Sequence, residues 1–269
     1  MIIASKNRPA DIVRALASLR AQRTQPERII VVDQSDARYT LPDDARIVHV
    51  YDPQLGGLPA ARNRGVREAR ADFLLFLDDD VEVLGDVVPA IVDTFDRHAD
   101  AVGAQCPFRQ PPVDAAVVIA DESRFKRIFS HGFFEEQPIR RANGCQLRTL
   151  QGCAMAFRRS LFAHELFDEG LAGYAFGEDW DFAKRAQRHG TLWVAGDAQI
   201  FHHRVLTNRH KVERLLQQRM TNFTYFFRKM RAGRRPVEWL WLAWWLLGEC
   251  FNAARNGVNP LRLLPPARP

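Results

Sequence analysis

The sequence predicts an α/β protein in which a mostly parallel sheet is flanked by helices and followed by a C-terminal helical extension. Short β-branched runs alternate with amphipathic helical stretches through the first two thirds of the chain, a pattern typical of such sheets. The 269 residues, 46% of them apolar, can bury a core, which excludes a disordered or collagen-like protein. Because chains begin to split into domains only beyond roughly 250 to 300 residues, we expect one domain over residues 1–203 and an extension over residues 204–269.

The chain opens with a predicted strand over residues 1–5, followed by a helix. Pro9 suits the opening turn of that helix, since proline fits the first helical positions. Ile12, Leu16 and Leu19 then recur at helical spacing and predict its buried face.

The next predicted elements are strands and helices in alternation. Residues 28–33 and 47–51 are predicted strands, and the uninterrupted apolar run of residues 73–77 is typical of a strand buried on both faces. Residues 59–70 and 86–98 have helical patterns.

The second half of the domain is less regular. Residues 108–150 are rich in proline and are predicted as a variable loop region with short strands. The remaining predicted strands are at 152–158, 192–194 and 199–202. A helix is predicted to follow Gly177-Glu178-Asp179 and to run through Arg188, and a long basic helix is predicted over 211–230.

The net charge of +6 is concentrated in one segment. Residues 204–235 contain ten Lys or Arg and one acid, Glu213, so this segment carries +9 and the rest of the chain carries −3. Because the positive charge is confined to this segment, the sequence argues against a nucleic-acid-binding surface spread over the fold. It indicates one basic face that binds phosphates or anionic lipid. We expect no nucleic-acid partner.

The spacing of the cysteines and the composition of the first residues indicate the cellular compartment of the protein. The four cysteines form no CxxC pair and are too sparse for a disulfide framework. No basic segment followed by an apolar core opens the chain. We therefore expect a cytoplasmic protein, peripheral on the inner face of the plasma membrane if its extension contacts lipid.

The extension ends in a Trp-rich apolar stretch over residues 237–251. Its uncharged core between Glu238 and Glu249 has ten residues, whereas a bilayer span needs roughly 20, so we predict no transmembrane helix. A basic helix followed by indoles has the ingredients of an interfacial membrane anchor. Because residues 239–247 are apolar on all sides, packing on the domain or an oligomer contact fits equally well.

Three consecutive carboxylates, Asp78, Asp79 and Asp80, follow the buried strand 73–77. Like charges raise one another's pKa unless a cation is present, and a divalent ion with oxygen ligands such as Mg²⁺ or Mn²⁺ would resolve this. The alternative is a solvated acidic turn that caps the next helix.

The motifs and their order resemble those of the family 2 glycosyltransferases with the GT-A fold, over roughly residues 1–203. The segments that carry the resemblance are Ser5-Lys6-Asn7-Arg8-Pro9, Val31-Val32-Asp33-Gln34-Ser35-Asp36, Ala61-Arg62-Asn63-Arg64-Gly65, Phe76-Leu77-Asp78-Asp79-Asp80 and Gly177-Glu178-Asp179-Trp180-Asp181. The resemblance implies inverting transfer of a hexosyl or deoxyhexosyl group from a UDP-, dTDP- or GDP-linked sugar. The acceptor would be a hydroxyl of a glycan, a polysaccharide or a lipid-linked sugar.

The resemblance also assigns the donor site. Asp33 is similar to the family's acceptor for the base N–H of the nucleotide, and an Asx turn is the alternative role. Asp78 and Asp79 would contact the ribose or metal-bound water, and Asp80 would bind Mn²⁺ or Mg²⁺ on the diphosphate. Arg62 would assist at the phosphates or base, or would simply be a surface arginine.

The same resemblance assigns the acceptor side and a further metal ligand. Asp179 matches the family's general base, with Glu178 orienting the loop or the acceptor. Both acids would also be favourable charges at a helix N-terminus. Of the two histidines that follow the strand at 199–201, His202 is the first choice as a metal ligand over His203, since alternation points them to opposite faces.

Two other functions compete with this prediction. A sugar nucleotidyltransferase needs a glycine-rich phosphate loop after the first strand, where Asn7-Arg8-Pro9 stands instead. A non-catalytic basic binding module for membrane or nucleic acid on a GT-A-like fold is the non-enzyme alternative. Intact Asp80 and Asp179 argue against it.

Overall fold

A computed structural model describes residues 1–110, 139–141, 144–171, 175–203, 212–231, 236–255, 257–260 and 263. Part of the predicted loop region 108–150 and the basic residues 204–211 and 232–235 lie outside them. The described residues form two compact units, one built from the strands with four helices, and the other from two long helices.

The first unit contains a sheet of nine described strands and a second sheet of three. The strands are β1 (Ile2–Ser5), β2 (Ile29–Asp33), β3 (Ile47–Tyr51), β4 (Phe73–Asp78), β5 (Val81–Val83), β6 (Ala101–Gln105), β7 (Phe108–Arg109), β8 (Ile139–Arg141), β9 (Gly144–Leu147), β10 (Ala154–Arg158), β11 (Thr191–Val194) and β12 (Ile200–His202). The helices of this unit are α1 (Pro9–Arg20), α2 (Leu58–Glu68), α3 (Val87–Arg97) and α4 (Glu178–Ala186), with a 3₁₀ helix at Arg159–Ala163.

The large sheet has the order β3-β2-β1-β4-β10-β6-β11-β9-β8. Strands β3, β2, β1 and β4 are all parallel. Helix α1 connects β1 to β2 and helix α2 connects β3 to β4, whereas residues 34–46 connect β2 to β3 without a helix. Strand β10 lies between β4 and β6 and is antiparallel to both, while β11 is again parallel to β6. The predicted α/β class is confirmed.

The core lies on both faces of this sheet. In β1, Ile3 joins a cluster with the buried side of α1, whereas its neighbour Ile2 joins a second cluster with Phe76, Phe157 and Phe182. Successive side chains of a strand point to opposite faces, which explains the division. Strand β4 contributes to both clusters, as its uninterrupted apolar run predicted.

The small sheet, in the order β5-β12-β7, brings two distant segments to the end of β4. Strand β12 runs antiparallel to β5 with His202 opposite Val81, and the His203 N–H donates to the Asp80 carbonyl at 2.9 Å. We did not predict β5 because three residues are too short for a recognisable alternation.

The second unit is built from α5 (Val212–Arg231) and α6 (Pro236–Arg255), which confirms that the C-terminal extension is helical. Its buried core consists of Leu216, Met220, Phe227, Leu242, Trp245, Ala253 and Leu263. Arg219, which is partly buried, forms an ion pair of 2.9 Å with the buried Glu249 between the helices. Helix α6 therefore buries one face on α5, although its sequence is apolar on all sides. None of the described helices has the length and hydropathy to cross a membrane.

Candidate active site

The polar residues of the predicted site gather at the carboxyl ends of the parallel strands. Asp33 is the last residue of β2 and Asp78 the last residue of β4. Parallel strands end at the same edge of a sheet, which is where open α/β sheets bind their ligands.

Asp78, Asp80 and His202 form a cluster whose three ligand atoms all lie within 4.8 Å of one another. His202 Nε2 lies 3.1 Å from Asp80 Oδ1 and 3.9 Å from Asp78 Oδ2. His203 instead lies 3.2 Å from Glu82, on the other side of the chain. The structure thus brings His202, and not His203, to the carboxylates.

Asp79 points away from this cluster. Its Oδ2 accepts a hydrogen bond from Ser5 Oγ, and its Oδ1 accepts one from Arg8 Nη1, both at 2.9 Å. Arg8 Nη1 also lies 3.5 Å from Asp80 Oδ2. Asp78 and Asp79 were both expected to contact the ribose or metal-bound water. Asp78 lies in the cluster, whereas Asp79 is bound by Ser5 at the end of β1 and by Arg8 in the turn that follows.

Arg62 links the cluster to the acidic pair at the start of α4. Its side chain is 2% exposed, which excludes the surface arginine considered as an alternative. The Nη2 group donates to Asp78 Oδ1 at 3.2 Å and to the Gly152 carbonyl at 2.8 Å, while Nη1 donates to Glu178 Oε1. The guanidinium is thus surrounded by carboxylates from both halves of the site.

Asp179 is partly exposed, and two backbone N–H groups hold its carboxylate. Its Oδ2 accepts from the Gly152 N–H and its Oδ1 from the Trp180 N–H, both at 2.8 Å. Gly177, which precedes α4, has a φ of 85°, a left-handed conformation that glycine adopts without strain. This turn starts the helix so that Glu178 faces Arg62 and Asp179 faces the loop before β10.

Burial raises the pKa values of three carboxyl groups in the site. Burial outweighs the charge of Arg62 and raises the pKa of Glu178 to about 8. It likewise raises the pKa of Asp79 to about 7, against Arg8 and Ser5, and that of Asp78, to which Asp80 and Asp179 add their charges. The site is short of positive charge.

The cluster of Asp78, Asp80 and His202 fits a divalent ion. Two carboxylate oxygens and an imidazole nitrogen are ligands that Mn²⁺ accepts, and Mg²⁺ accepts the oxygens. A cation there would also relieve the repulsion by Asp80 and Asp179, which adds to the effect of burial in raising the pKa of Asp78.

Asp33 lies at the other side of the β1 end and is fully buried. Its Oδ1 accepts from the Ser35 N–H at 2.9 Å, which is the Asx turn considered as an alternative, and its Oδ2 lies 3.1 Å from His49 Nε2. The Tyr39 ring stacks on His49 with centroids 5.6 Å apart. Aromatic rings therefore flank the carboxylate predicted to meet the nucleotide base.

Sequence reasoning assigned no role to several residues that hold this site together. Ser5 and Arg8 lie inside a motif that we quoted, but nothing in that motif indicates that they bind Asp79. Gly152 supplies both a carbonyl to Arg62 and an N–H to Asp179, and a backbone role leaves no signal beyond the glycine itself.

The comparison with known families decides the class of the protein. Residues 1–166 match the sequence profile of the family described as "Glycosyl transferase family 2". The chain belongs to glycosyl transferase family 2. This membership confirms the resemblance drawn from the motifs and places the chain among the glycosyltransferases.

One curated relative is similar to this family 2 chain. The "Succinoglycan biosynthesis protein ExoO" of Rhizobium meliloti (strain 1021) is 30% identical over 145 residues. The match covers 51% of the chain and 38% of ExoO, so the matched part is well under half of that protein.

Solved structures show the GT-A fold for this family 2 chain. S. aureus TarS 1-349 in complex with UDP-GlcNAc is similar with a TM-score of 0.58 and 18% identity, over 95% of this chain and 73% of that one. The mannosyltransferase PcManGT from Pyrobaculum calidifontis, in complex with GDP-Man and Mn²⁺, has a TM-score of 0.59 and 14% identity, over 95% and 72%. At these identities the likeness establishes the fold alone.

Proposed function

We propose that this protein is an inverting, divalent-metal-dependent glycosyltransferase that uses a nucleotide-diphosphate sugar as donor. The observation that carries this proposal is the position of Arg62 between Asp78 and Glu178. Arg62 connects the cluster of three candidate metal ligands, which suits a cation bound to a diphosphate, to the acidic pair Glu178 and Asp179, which suits proton transfer. The groups for the donor and the groups for the acceptor therefore lie in one site.

The donor would lie along the carboxyl ends of β1, β2 and β4. Asp33, beside His49, would accept from the nucleotide base. Asp80, Asp78 and His202 would hold Mn²⁺ or Mg²⁺, which when bound neutralises negative charge on the leaving nucleoside diphosphate. Two structural neighbours support a nucleotide-sugar donor, since PcManGT is in complex with GDP-Man and Mn²⁺ and TarS with UDP-GlcNAc.

Asp179 would act as the general base. Its carboxylate takes the proton of the acceptor hydroxyl while that oxygen bonds to the anomeric carbon from the face opposite the leaving group. The bond from the anomeric carbon to the β-phosphate oxygen breaks, and its electron pair leaves with the diphosphate. The N–H groups of Gly152 and Trp180 fix the carboxylate in one orientation. Such positioning keeps the base close to the attacking oxygen.

Glu178 would be a positioning residue. Its Oε1 accepts from Arg62, and its buried Oε2 has no hydrogen-bond partner among the described residues. A buried carboxylate oxygen without a partner is costly, and a hydroxyl of the bound acceptor would satisfy it. Glu178 would thereby orient the acceptor toward Asp179.

The acceptor would be a growing polysaccharide or a lipid-linked glycan. The similarity to ExoO, a succinoglycan biosynthesis protein, supports a polysaccharide product. We propose a location on the cytoplasmic side of the membrane, where nucleotide sugars and such acceptors meet.

The test measures release of nucleoside diphosphate from UDP-, GDP- and dTDP-linked hexoses with saccharide acceptors and Mn²⁺. Asp179→Asn should lower turnover by about 10²- to 10⁴-fold, as expected for loss of a general base, while nucleotide binding by calorimetry stays unchanged. Asp96→Asn, an exposed acid of α3, is the matched control.

Two results would contradict this proposal. Turnover by Asp179→Asn equal to that of the parent protein would reject Asp179 as the base. Retention of the donor's anomeric configuration in the product, measured by the ¹H coupling of the anomeric proton, would reject inversion.

A further inference from the structure

Helix α6 carries a continuous exposed apolar surface, which we call the α6 stripe. Its members are Val237, Leu240, Trp241, Trp244, Leu247 and Phe251, each 42% to 70% exposed. They recur every three or four residues, so they share one face of the helix, within an arc of about 120° and over a length of about 21 Å.

The α6 stripe lies opposite the face that packs on α5. Leu242, Trp245 and Ala253 are buried against α5, and Glu249 is buried in its ion pair with Arg219. The core and the ion pair between α5 and α6 therefore do not include the α6 stripe, and no member of the stripe is charged.

The helix pair that carries the α6 stripe also carries cations. Arg228 and Lys229 are exposed at the end of α5, and the ring contact of 5.1 Å between Phe227 and Trp239 holds that end against the start of α6. They belong to the segment 204–235, which carries +9.

The positive charge of this segment indicates which partner binds the α6 stripe. A bilayer with anionic headgroups is complementary both to the cations and to the apolar side chains, and indoles prefer the level of the headgroups. A second copy of the chain would instead bring the same cations together, which opposes association.

We propose that the α6 stripe docks this protein on the surface of an anionic bilayer. The helix lies in the interface with its apolar side chains in the headgroup and upper acyl region, and does not cross the membrane. This inference goes beyond the proposed glycosyl transfer, because it concerns a surface of the second unit and uses none of the residues of the active site.

The experiment measures co-sedimentation of the full chain with vesicles, without donor or acceptor. Vesicles of phosphatidylcholine with about 30% phosphatidylglycerol should bind it, and vesicles of phosphatidylcholine alone should bind it at least about tenfold more weakly. Tryptophan quenching by brominated lipid then reports whether α6 reaches the acyl region.

Two variants separate the apolar and the charged contributions. Trp241→Ala with Trp244→Ala should lower the partition coefficient on the order of tenfold, because exposed indole area no longer enters the interface. Arg228→Gln with Lys229→Gln should weaken binding to the anionic vesicles and reduce its loss with added salt. The matched control is Val13→Ala with Leu166→Ala, two residues of the first unit that are 41% and 46% exposed.

Several outcomes would overturn the proposal. One is absence of binding by the parent chain, and another is equal binding by the parent and the tryptophan variant. A third is a parent chain that is a dimer in light scattering and a tryptophan variant that is a monomer, with no vesicle binding by either protein. That result would show that the stripe binds a second copy of the chain. Leu240→Gln, at a 70% exposed position, gives the same test if the tryptophan variant fails to fold. Because the assay contains no sugar, its failure would leave the proposed transfer reaction untouched.

Discussion

At the scale of single residues, Arg62 determines the electrostatics of the site. Its guanidinium is fully buried, and it contacts Asp78 and Glu178 while the charge of Asp179 acts on it as well. A buried arginine without such partners costs several kcal/mol, and removal of one member of a buried pair costs about 3–5 kcal/mol. The carboxylates are therefore needed for Arg62 to be buried, and the charge of Arg62 opposes the rise that burial causes in the pKa values of Asp78 and Glu178.

The raised pKa of Glu178 predicts how stability depends on pH. Its pKa in the folded protein is about 8 against 4.5 for the free side chain, so between these values the folded state holds a proton that the unfolded state releases. The free energy of unfolding should then fall as pH rises through that window. Glu178→Gln should reduce the fall, since the amide does not titrate.

Urea unfolding in EDTA from about pH 5 to about pH 8 measures this slope. Part of it should persist in the variant because Asp79, with a pKa of about 7, contributes with the same sign. Asp96→Asn, at an exposed acid of α3, is the control and should leave the slope unchanged. Identical slopes for the parent and Glu178→Gln would contradict the prediction.

Some of these single-residue features were predictable from sequence and others were not. Alternation along a strand predicted that only one histidine of the pair would face the carboxylates, and His202 does. The burial of Arg62 was not predictable, because its partners Gly152 and Glu178 lie 90 and 116 residues away along the chain. Likewise, nothing local indicated that Asp79 would turn toward Ser5.

At the scale of elements, the existence of strands was predictable and their order was not. Apolar runs marked β1, β2, β3 and β4, and the helices α1 and α2 between them are typical of crossovers that connect parallel strands. The antiparallel position of β10 between β4 and β6 depends on contacts with residues some 50 to 80 positions away, which no local pattern encodes. Strand β5 was missed for a different reason, since its three residues form a strand only by pairing with β12.

The close approach of α2 to β1 predicts the effect of a methyl group at Gly65. A Cβ at this position would overlap Ile2 Cγ2. Alanine gains about 1 kcal/mol of helix propensity, but overpacking costs typically 1–3 kcal/mol, so we expect Gly65→Ala to lower the free energy of unfolding by about 1 kcal/mol.

A double-mutant cycle identifies the cause of that loss. In an Ile2→Ala background the overlap disappears, so Gly65→Ala should become neutral or stabilising. Gly196→Ala, where nothing lies within 4 Å, is the control for a methyl group without a neighbour. Urea unfolding supplies all of these free energies, and strictly additive effects of the Ile2 and Gly65 changes would reject the explanation.

At the scale of the whole molecule, the two units carry opposite electrostatic characters. The first unit concentrates carboxylates at one edge of its sheet, and the chain outside residues 204–235 has a charge of −3. The segment 204–235 carries +9. The proposed nucleotide-sugar donor, which is anionic, would therefore need a cation at the carboxylate edge, whereas an anionic surface would be attracted to the second unit directly.

The need for a cation predicts a coupling between Mn²⁺ and nucleotide that the stability of the whole chain reports. A ligand that binds only the folded protein stabilises it by about 2.7 kcal/mol at one hundred times its dissociation constant, which corresponds to a rise in Tm of about 5–10 °C for a chain of this size. We expect one of UDP, dTDP, GDP and CDP to give such a rise with Mn²⁺ and a much smaller one without it. By linkage, the nucleotide should raise the affinity for Mn²⁺ by the same factor.

The adjacent histidines provide the matched pair for this experiment. His202 lies 3.1 Å from Asp80 in the cluster, whereas His203 lies beside Glu82 outside it. His202→Ala should abolish the part of the Tm rise that requires Mn²⁺, and His203→Ala should retain it, although both remove one imidazole from the same strand end. Equal loss in the two variants would show that the imidazole acts through the stability of β12. A nucleotide effect of the same size with and without Mn²⁺ in the parent chain would remove the metal from the donor site altogether.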